Sequence, residues 1–396
     1  MLRVIKIISF IFKVKKNFKS PSGHKILVFD KEASEDLKYS LKDKNFFLLI
    51  SRPHQINEIY ISFGVIINII KFYRGNIVTA YFCALIKIIN PNLIITMIDN
   101  SLKYFELTRI FKDKITFLAI QNAARYDIPI NNFLLSKKKT KVNFSKKFYF
   151  DTLFCFGQHE VDHYKKNKIN INNFKDIGSL QLSNYLYHLK ENKKKLPDKT
   201  FDFSLASEGH VGLDKEYSES GLAKRWSQIV SFSIKFAKSR NKKFNYIFKR
   251  EKKLGRGFFE NEIVFLNEFL EKEDLDFLFK NCTFKNQAIF SSYDAIAKSK
   301  VLLGCTSSLL REKLALGGKI LSCNFSGLDM FDFPIKKLCF LKNPSYKDFS
   351  ESLENLIKMS DKFFFKNIDE DANLLIKNVQ ITDANNEVKN FIKKFE

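Results

Sequence analysis

The chain has 396 residues, of which 45% are hydrophobic and 15% aromatic. This composition excludes a disordered chain and suits two domains of about 150 to 200 residues each. Lysine and arginine outnumber aspartate and glutamate by 67 to 43, and the net charge of +24 favours an anionic partner, such as a nucleotide diphosphate, an anionic membrane or a nucleic acid.

The six cysteines are widely spaced, form no C-x-x-C pair and lie partly in apolar runs. They are expected to be small core residues in a reducing compartment. No stretch resembles a cleavable signal peptide, because Lys6 and Lys13 interrupt the first apolar segment. No uncharged run is longer than the 12 residues of Ile59 to Ile70, which is well below the roughly 18 to 20 residues that cross a bilayer. The sequence therefore predicts a cytoplasmic protein.

The N-terminal segment, Met1 to Lys16, combines a basic stripe with an apolar face at helical spacing. This pattern is typical of an interfacial helix that lies on an anionic membrane. A core strand or helix with solvated lysines explains the pattern equally well. The segment is therefore predicted either to attach the protein to the inner face of the cytoplasmic membrane or to join the core.

The following region alternates apolar runs with helical patterns, which predicts a doubly wound α/β domain. In such sheets ligands bind beyond the carboxyl ends of the strands. The predicted strands are Lys25 to Asp30, Phe46 to Ser51, Asn92 to Ile98, Ile115 to Ile120 and Asp151 to Phe156, and the predicted helices are Lys31 to Leu41, two across Ile59 to Ile89, and Ser101 to Phe111.

Polar residues follow two of these strands. Asp99 and Asn100 come after one apolar run, and Gln121, Asn122 and Arg125 come after the next. Because strand ends of this kind open into a cleft, these side chains are candidates for catalysis or for binding an acceptor. Alternatively, Asp99 or Asn100 caps the helix that follows.

The segment His159 to His163 matches H-E-x-x-H, a spacing that places two imidazoles on one helical face for zinc. The context argues against a metal site, because spacing identifies no third ligand among the other histidines. A lysine- and asparagine-rich loop, not an apolar helix, is predicted to follow. The match is therefore interpreted as a chance one.

The segment Tyr187 to Lys199 is polar, lysine-rich and broken by Pro197, which predicts a domain boundary. The predicted divisions are 1–186 (first domain), 187–199 (linker), 200–378 (second domain) and 379–396 (a C-terminal crossing helix). The second domain repeats the α/β pattern, with predicted strands at Phe201 to Ala206, Phe244 to Phe248 and around Gln287 to Phe290, and predicted helices at about Ser220 to Ser239, Asn261 to Phe269, Ser345 to Met359 and Glu387 to Phe395.

The most informative stretch is Ser291 to Asn324. Two apolar strands joined by a short helix predict a βαβ unit of a parallel sheet. In chain order, the predicted elements are a helix (Tyr293 to Ser299), a strand (Lys300 to Gly304), a hydroxyl-rich turn, a helix that ends at Leu316 before Gly317 and Gly318, and a strand (Lys319 to Cys323).

The hydroxyl-rich turn contains Thr306, Ser307 and Ser308 and leads into a helix N-terminus. The first N–H groups of a helix and the positive end of its dipole form a site for phosphate. Glu312, one turn into the helix, is placed to accept hydrogen bonds from a ribose. Alternatively, this is the Ser-rich turn and charged helix face of any βαβ protein.

The strand, the Ser/Thr turn, the Ser-x-x-x-Glu of the next helix and the Gly-Lys before the next strand resemble the donor-nucleotide motif of GT-B glycosyltransferases. The nearest resemblance is to proteins of bacterial surface-carbohydrate biosynthesis (O-antigen or capsule), with CDP-glycerol glycerophosphotransferases more distantly similar. The resemblance implies an α/β fold of two Rossmann-like domains that face a cleft, with a C-terminal helix that returns to the first domain. It also implies that Thr306, Ser307 and Ser308 bind the donor diphosphate and that Glu312 binds the ribose.

The resemblance extends to other strand ends of the second domain. Glu208 and His210 lie where GT-B enzymes place a loop near the transferred group. Lys249 and Arg250 lie where a cation meets the donor phosphates and offsets charge on the leaving group without a metal. The alternative for each pair is a solvated loop or a surface ion pair.

In the first domain, the residues around Asn100 and Asn122 are similar to the Asp-Asn-Ser and Gln-Asn-Gly-x-Arg segments of the surface-carbohydrate proteins. Ala123 stands in place of the glycine. If that glycine takes a positive φ or lets the backbone approach a substrate, the alanine alters the acceptor site.

The resemblance implies a transferase that moves a sugar or polyol phosphate from a nucleotide-activated donor to a glycan or lipid-linked acceptor, with no metal and no other cofactor. An inverting reaction needs a general base, for which Asp99, Glu208 and His210 are candidates in that order. One alternative is a nucleotide-sugar 2-epimerase. Another is a non-enzymatic nucleic-acid binder, which is disfavoured because the lysines are spread out and no aromatic-interleaved basic patch is present.

Overall fold

The computed structural model describes residues 14–52, 55–125, 149–167, 169–208, 222–251, 258–285, 288–379 and 383–396. This part of the chain forms two six-stranded parallel sheets and one short parallel pair. The strands are β1 (Lys15–Asn17), β2 (Ile26–Phe29), β3 (Phe46–Leu49), β4 (Glu58–Tyr60), β5 (Leu93–Thr96), β6 (Thr116–Ile120), β7 (Tyr149–Cys155), β8 (Asn170–Asp176), β9 (Phe201–Ala206), β10 (Phe244–Glu251), β11 (Cys282–Lys285), β12 (Ser299–Gly304), β13 (Lys319–Asn324) and β14 (Phe340–Lys342).

Helices cover both faces of the sheets. The α-helices are α1 (Lys31–Asp36), α2 (Phe63–Phe72), α3 (Ile77–Ile89), α4 (Leu102–Ile110), α5 (Gln158–Lys166), α6 (Leu180–Glu191), α7 (Leu222–Arg240), α8 (Phe258–Phe269), α9 (Lys272–Lys280), α10 (Ser291–Ala297), α11 (Ser308–Ala315), α12 (Tyr346–Lys358), α13 (Asp361–Leu375) and α14 (Ala384–Ile392). Every helix in the described ranges is too short or too polar to cross a bilayer.

The first sheet has the strand order β3-β2-β5-β6-β7-β8. Its central strands β2 and β5 are buried at every residue, as expected for parallel strands that are covered on both faces. Helices α2 to α5 pack on one face of this sheet, and the other face is covered by Leu37 and Leu41 after α1, by the start of α6 and by α14.

The second sheet has the order β11-β10-β9-β12-β13-β14. Counted in chain order within the sheet, this is the 3-2-1-4-5-6 order of the dinucleotide-binding Rossmann fold. The direction of winding reverses between β9 and β12, which pair in parallel. Ligands of such sheets bind beyond the strand ends at this switch point.

The chain returns to the first sheet after α13. The Lys377 backbone N–H donates to the Phe156 carbonyl at 2.9 Å, and the Lys377 ammonium pairs with Asp176 at 2.8 Å. A β-carbon at Gly157 would lie only 2.7 Å from the Leu375 carbonyl carbon, so the crossing requires glycine there. Helix α14 then buries its apolar face against the first sheet, as the resemblance implied, through Ala384, Val388 and Ile392.

Several sequence-based predictions differ from the structure. The loop predicted after H-E-x-x-H is strand β8, whose polar residues are tolerated because it is an edge strand with mostly exposed positions. The strand predicted around Gln287 to Phe290 is wrong, because residues 288–290 form a turn and the strand is β11. Helices α9 and α13 were not predicted, and α1 ends at Asp36 instead of Leu41.

Two predicted boundaries are also affected. Helix α6 includes residues 187–191 of the predicted linker, so that part of the linker is helical. The end of the predicted N-terminal helix is strand β1, and residues 1–13 lie outside the described part of the chain. The domain limits themselves stay predictions.

Candidate functional site

The switch point of the second sheet brings together two loops that are distant in sequence. Ser207 and Glu208 follow β9, and Cys305 to Ser307 follow β12 and lead into α11. Because β9 and β12 are neighbours, Glu208 faces the turn that the sequence predicted to bind phosphate.

The Glu208 carboxylate occupies the N-terminus of α11. Its Oε1 accepts hydrogen bonds from the backbone N–H groups of Cys305 (2.8 Å), Thr306 (2.9 Å) and Ser307 (3.1 Å), and its Oε2 accepts one from the Thr306 hydroxyl (2.7 Å). Four donors therefore converge on one anionic group. We call these four donors the anion cradle; its geometry binds an anion, and in this structure the anion is the protein's own carboxylate.

The sequence explains why the cradle forms at this position. Ser307 is the N-cap of α11, and its hydroxyl oxygen accepts from the Leu309 N–H at 3.4 Å. This cap starts the helix directly after the buried strand β12, so the first amides of the turn point beyond the sheet. Ser308 is the first residue of α11 and is not among the four donors.

A small cavity lies behind Glu208. It has a volume of about 30 Å³, which is room for one or two water molecules and not for a nucleotide. Within it, the buried Glu262 accepts from the Tyr246 hydroxyl at 3.1 Å and from the Ser207 hydroxyl. Burial, together with Glu262, raises the pKa of Tyr246 well above its usual range. Glu262 thus links Ser207, at the end of β9, to Tyr246 of β10 through hydrogen bonds.

Glu312, the predicted ribose ligand, is 2% exposed. It accepts hydrogen bonds from the Tyr293 hydroxyl at 2.8 Å and from the Ser179 hydroxyl, which also caps α6. Burial raises the pKa of Glu312 to about 7, although the two hydroxyls oppose this and Asp36 adds to it. In this structure Glu312 is not open to a ribose, and that role stays a prediction.

The Gly-Lys pair of the motif, Gly318 and Lys319, lies next to another buried lysine, Lys313. Lys313 is buried, and its ammonium donates to the carbonyls of Ile296 and Ser299, both at 2.7 Å. A β-carbon at Gly318 would lie 2.7 Å from this ammonium nitrogen. The Lys319 ammonium donates to the Met359 carbonyl. Both lysines therefore satisfy backbone carbonyls of neighbouring elements.

Asp99, the first candidate base, is buried after β5. Its Oδ2 accepts from the Arg125 Nε and from the Tyr164 hydroxyl, both at 3.0 Å, and its Oδ1 accepts from the Arg125 Nη2. Both carboxylate oxygens are engaged, so Asp99 is not available to an acceptor hydroxyl in this structure. Although burial lowers the pKa of Arg125, Asp99 more than offsets this and the net pKa is raised.

The other predicted acceptor residues divide into two groups. Gln121 is buried and bridges two strand ends, since its amide donates to the Ala123 carbonyl at 2.9 Å and accepts from the Phe156 N–H at 2.8 Å. It therefore holds the backbone and does not line an open cleft. Asn122 accepts from Arg125 at 3.2 Å, and Asn100 is exposed.

The H-E-x-x-H segment lies on α5 and joins the two halves of the molecule. Glu160 forms a buried ion pair with Arg311 of α11. Burial opposes ionisation, but Arg311 and His159 lower the pKa of Glu160 to about 2.

In the described part of the chain, no three His, Cys, Asp or Glu side chains cluster as metal ligands. Sequence reasoning missed Arg311, for which the signal was a charge inside the leucine-rich pattern of α11.

Three predicted site residues cannot be placed in the cleft. His210 lies in 209–221, outside the described residues. Lys249 and Arg250 belong to β10, and only their backbone is described. Their predicted contacts with donor phosphates stay predictions.

Two parallel Rossmann-like sheets whose strand ends face each other, together with a C-terminal helix that crosses back, define the GT-B fold. No protein-family model matches the chain, and no curated protein matches it in sequence. Solved structures do match, and the fold class predicted from the sequence is confirmed.

The chain is similar to the wall teichoic acid polymerase TagF. One TagF variant gives a TM-score of 0.53 at 12% identity, over 93% of this chain and 88% of that chain. A TagF structure soaked with CDPG gives 0.52 at 13% identity, over 99% and 96%. The UDP-GlcNAc 2-epimerase from Neisseria meningitidis, bound to UDP-GlcNAc, gives 0.48 at 12% identity, over 93% and 98%. At these identities the two TagF matches show the fold alone.

Proposed function

We propose that the chain is a GT-B transferase that moves a sugar or polyol phosphate from a nucleotide-activated donor to a surface glycan or lipid-linked acceptor. The observation that carries the proposal is the anion cradle, in which four donors hold the Glu208 carboxylate at the switch point of the second sheet. A site that binds a carboxylate in this way offers the same donors to a phosphate.

In the proposed donor complex, the diphosphate takes the place of the Glu208 carboxylate. The N–H groups and the dipole of α11 then stabilise negative charge on the leaving group, so that no divalent metal is required. Lys249 and Arg250 are proposed to add positive charge, and Glu312 to meet the ribose after its contact with Ser179 opens.

Displacement of Glu208 would free a carboxylate next to the donor. We propose Glu208 as the general base that takes the proton of the acceptor hydroxyl while its oxygen bonds to the transferred group and the nucleotide leaves. Asp99 and His210 remain the other candidates. On the acceptor side, Asn100 and Asn122 are proposed to contact the acceptor.

The test is thermal unfolding of the full chain with a panel of nucleotide donors in the presence of a chelator. CDP-glycerol heads the panel because a TagF structure was soaked with CDPG, and UDP-, GDP-, CDP- and CMP-sugars complete it. One donor class should raise the Tm, since ligand at about 100 times its Kd stabilises by about 2.7 kcal/mol. Thr306→Val should weaken that effect, whereas Thr200→Val, at an exposed threonine away from the cradle, should not.

Other outcomes would contradict the proposal. No stabilisation by any donor, or equal stabilisation of the wild type and the Thr306→Val variant, would mean that the donor does not bind at the anion cradle. Interconversion of the donor sugar without an acceptor would indicate an epimerase. Salt-dependent binding of RNA without nucleotide binding would indicate a nucleic-acid binder.

A further inference from the structure

Helix α2 is apolar on both of its faces, although only one face is covered. Val65, Ile69 and Phe72 pack against the core of the first sheet. On the opposite side, Phe63 is 79% exposed and Ile70 is 70% exposed. A surface helix of a water-soluble domain ordinarily carries polar residues on its outer face.

The exposed apolar surface continues beyond α2. Residues spaced by three and four share one face of a helix, which places Ile66 with the two residues above. Phe18, which is 73% exposed, lies near the start of α2, because Ser20 and Ser62 share a hydrogen bond of 2.6 Å. We call this surface the outer patch; its residues are Phe18, Phe63, Ile66, Ile70, Tyr73, Ile77 and Val78.

The charges around the outer patch are positive. From Ile59 to Ile98 the sequence has no aspartate or glutamate, whereas Lys71 and Arg74 are exposed at the turn between α2 and α3. Two carboxylates next to this region are paired with lysines. Glu58 pairs with Lys15 at 3.5 Å, and Glu106 pairs with Lys103 at 2.8 Å.

The polar groups of α2 offer little to a hydrogen-bonding partner. The Asn68 side-chain amide donates to the Gly64 carbonyl of its own helix at 2.8 Å. Protein interfaces carry about one hydrogen bond per 100–200 Å². A basic apolar face with its polar groups satisfied internally is better matched to lipid, where apolar side chains enter the acyl boundary and tyrosine, lysine and arginine lie at the headgroups.

We infer that the outer patch docks the first domain onto an anionic phospholipid surface. The inference concerns α2 and α3, not the N-terminal segment or the anion cradle, and it holds whether or not the chain is a transferase. Lys71 and Arg74 contact the headgroups, and the aromatic and aliphatic residues of the patch insert below them.

The test is co-sedimentation of the full chain with vesicles of phosphatidylcholine, with or without about 30% phosphatidylglycerol. Binding should require the anionic lipid and should fall with rising salt. The double variant Phe63→Ser with Ile70→Ser should reduce partitioning at least tenfold. Lys71→Gln and Arg74→Gln should each reduce it about fivefold, the equivalent of about 1 kcal/mol per charge.

The matched control is Phe363→Ser on α13. Phe363 is 53% exposed, but its helix carries several acidic residues, so its loss should leave vesicle binding unchanged. Each variant should keep the wild-type circular dichroism and any nucleotide-dependent Tm shift, which separates this test from that of the proposed function.

Unchanged vesicle binding by the folded double serine variant would overturn the inference. So would sedimentation data in which that variant dissociates an oligomer without losing vesicle binding, because the patch would then be a contact between two copies of the chain.

Discussion

Arg311 and Glu160 form an ion pair across the two halves of the molecule, and both side chains are fully buried. The Arg311 Nη2 also donates to the Arg125 carbonyl at 3.3 Å, and the Arg125 side chain holds Asp99. The helix that carries the anion cradle is therefore connected to the strand ends of the first sheet. A movement that separates the two sheets at this point has to break the pair, whereas a movement that keeps the pair has to pivot around it.

Glu160→Gln should destabilise the protein by about 3–5 kcal/mol, because it leaves the Arg311 charge buried without its counter-ion. Replacement of both residues, Glu160→Gln with Arg311→Met, should recover much of the loss, since no buried charge then remains. Urea unfolding of the three proteins measures the difference.

The control for this cycle is the exposed pair of Lys238 and Asp274, at 2.6 Å. Asp274→Asn should cost no more than about 1 kcal/mol, because exposed pairs are screened by solvent. A similar cost for Glu160→Gln and Asp274→Asn would mean that the two halves are not held by the buried pair.

Glu208→Ala should raise the affinity for the best nucleotide donor about tenfold, or about 1.4 kcal/mol, because the donor no longer has to displace a carboxylate from the cradle. The same change should lower the stability of the free protein by about 1–2 kcal/mol, because the N-terminus of α11 loses the carboxylate that accepts its hydrogen bonds. Calorimetric titration and thermal unfolding measure the two effects. Weaker binding in Glu208→Ala, with no change in Glu268→Ala at an exposed site, would instead make Glu208 a direct donor ligand.

Glu312 should make the stability depend on pH. Burial raises its pKa to about 7 from an ordinary value of 4.5, so the folded protein holds this proton more tightly than the unfolded chain. The stabilising contribution of Glu312 to the free energy of unfolding is therefore complete below pH 4.5 and is lost as the pH rises to about 7. The size of the loss is about 3 kcal/mol at most.

Unfolding of the wild type and of Glu312→Gln across this pH range provides the measurement. The glutamine variant should gain relative stability as the pH rises from about 4.5 to about 7. A stability difference that is flat across this range would mean that Glu312 has an ordinary pKa and is more open than the structure shows. If Glu312 also binds the ribose, the variant should weaken donor binding by about 1–3 kcal/mol.

Transfer activity should survive a chelator if, as proposed, the donors of the anion cradle stabilise negative charge on the leaving group. His163→Ala should retain activity if it folds, since Glu160 is engaged by Arg311 and cannot serve as the base of a zinc site. Activity that EDTA abolishes and Zn²⁺ restores would instead indicate a zinc site at the H-E-x-x-H segment. Restoration by Mg²⁺ or Mn²⁺ alone would indicate a metal-dependent transferase.

Much of the fold was predictable from local patterns. Strand β9 was predicted at its observed limits, and the strand, turn and helix around Thr306 were predicted within a few residues. Strand β8 was missed because an edge strand need not be apolar, and its sequence has the composition of a loop. The long helix α13 was missed although it has a Ser360 cap and a helical pattern.

Residues close together in the chain were enough to predict the alternation of strands and helices and the turn expected to bind phosphate, because caps and hydrophobic periodicity are local features. The group that occupies that turn, the Glu208 carboxylate, comes from a distant part of the chain and is set by the packing of the sheet. Glu208 and Cys305 are 97 positions apart, and Glu160 and Arg311 are 151 apart. Which of these groups meet depends on the order of strands in the sheet and on how the two sheets face each other. Neither property can be read from the hydrophobic periodicity of a short segment.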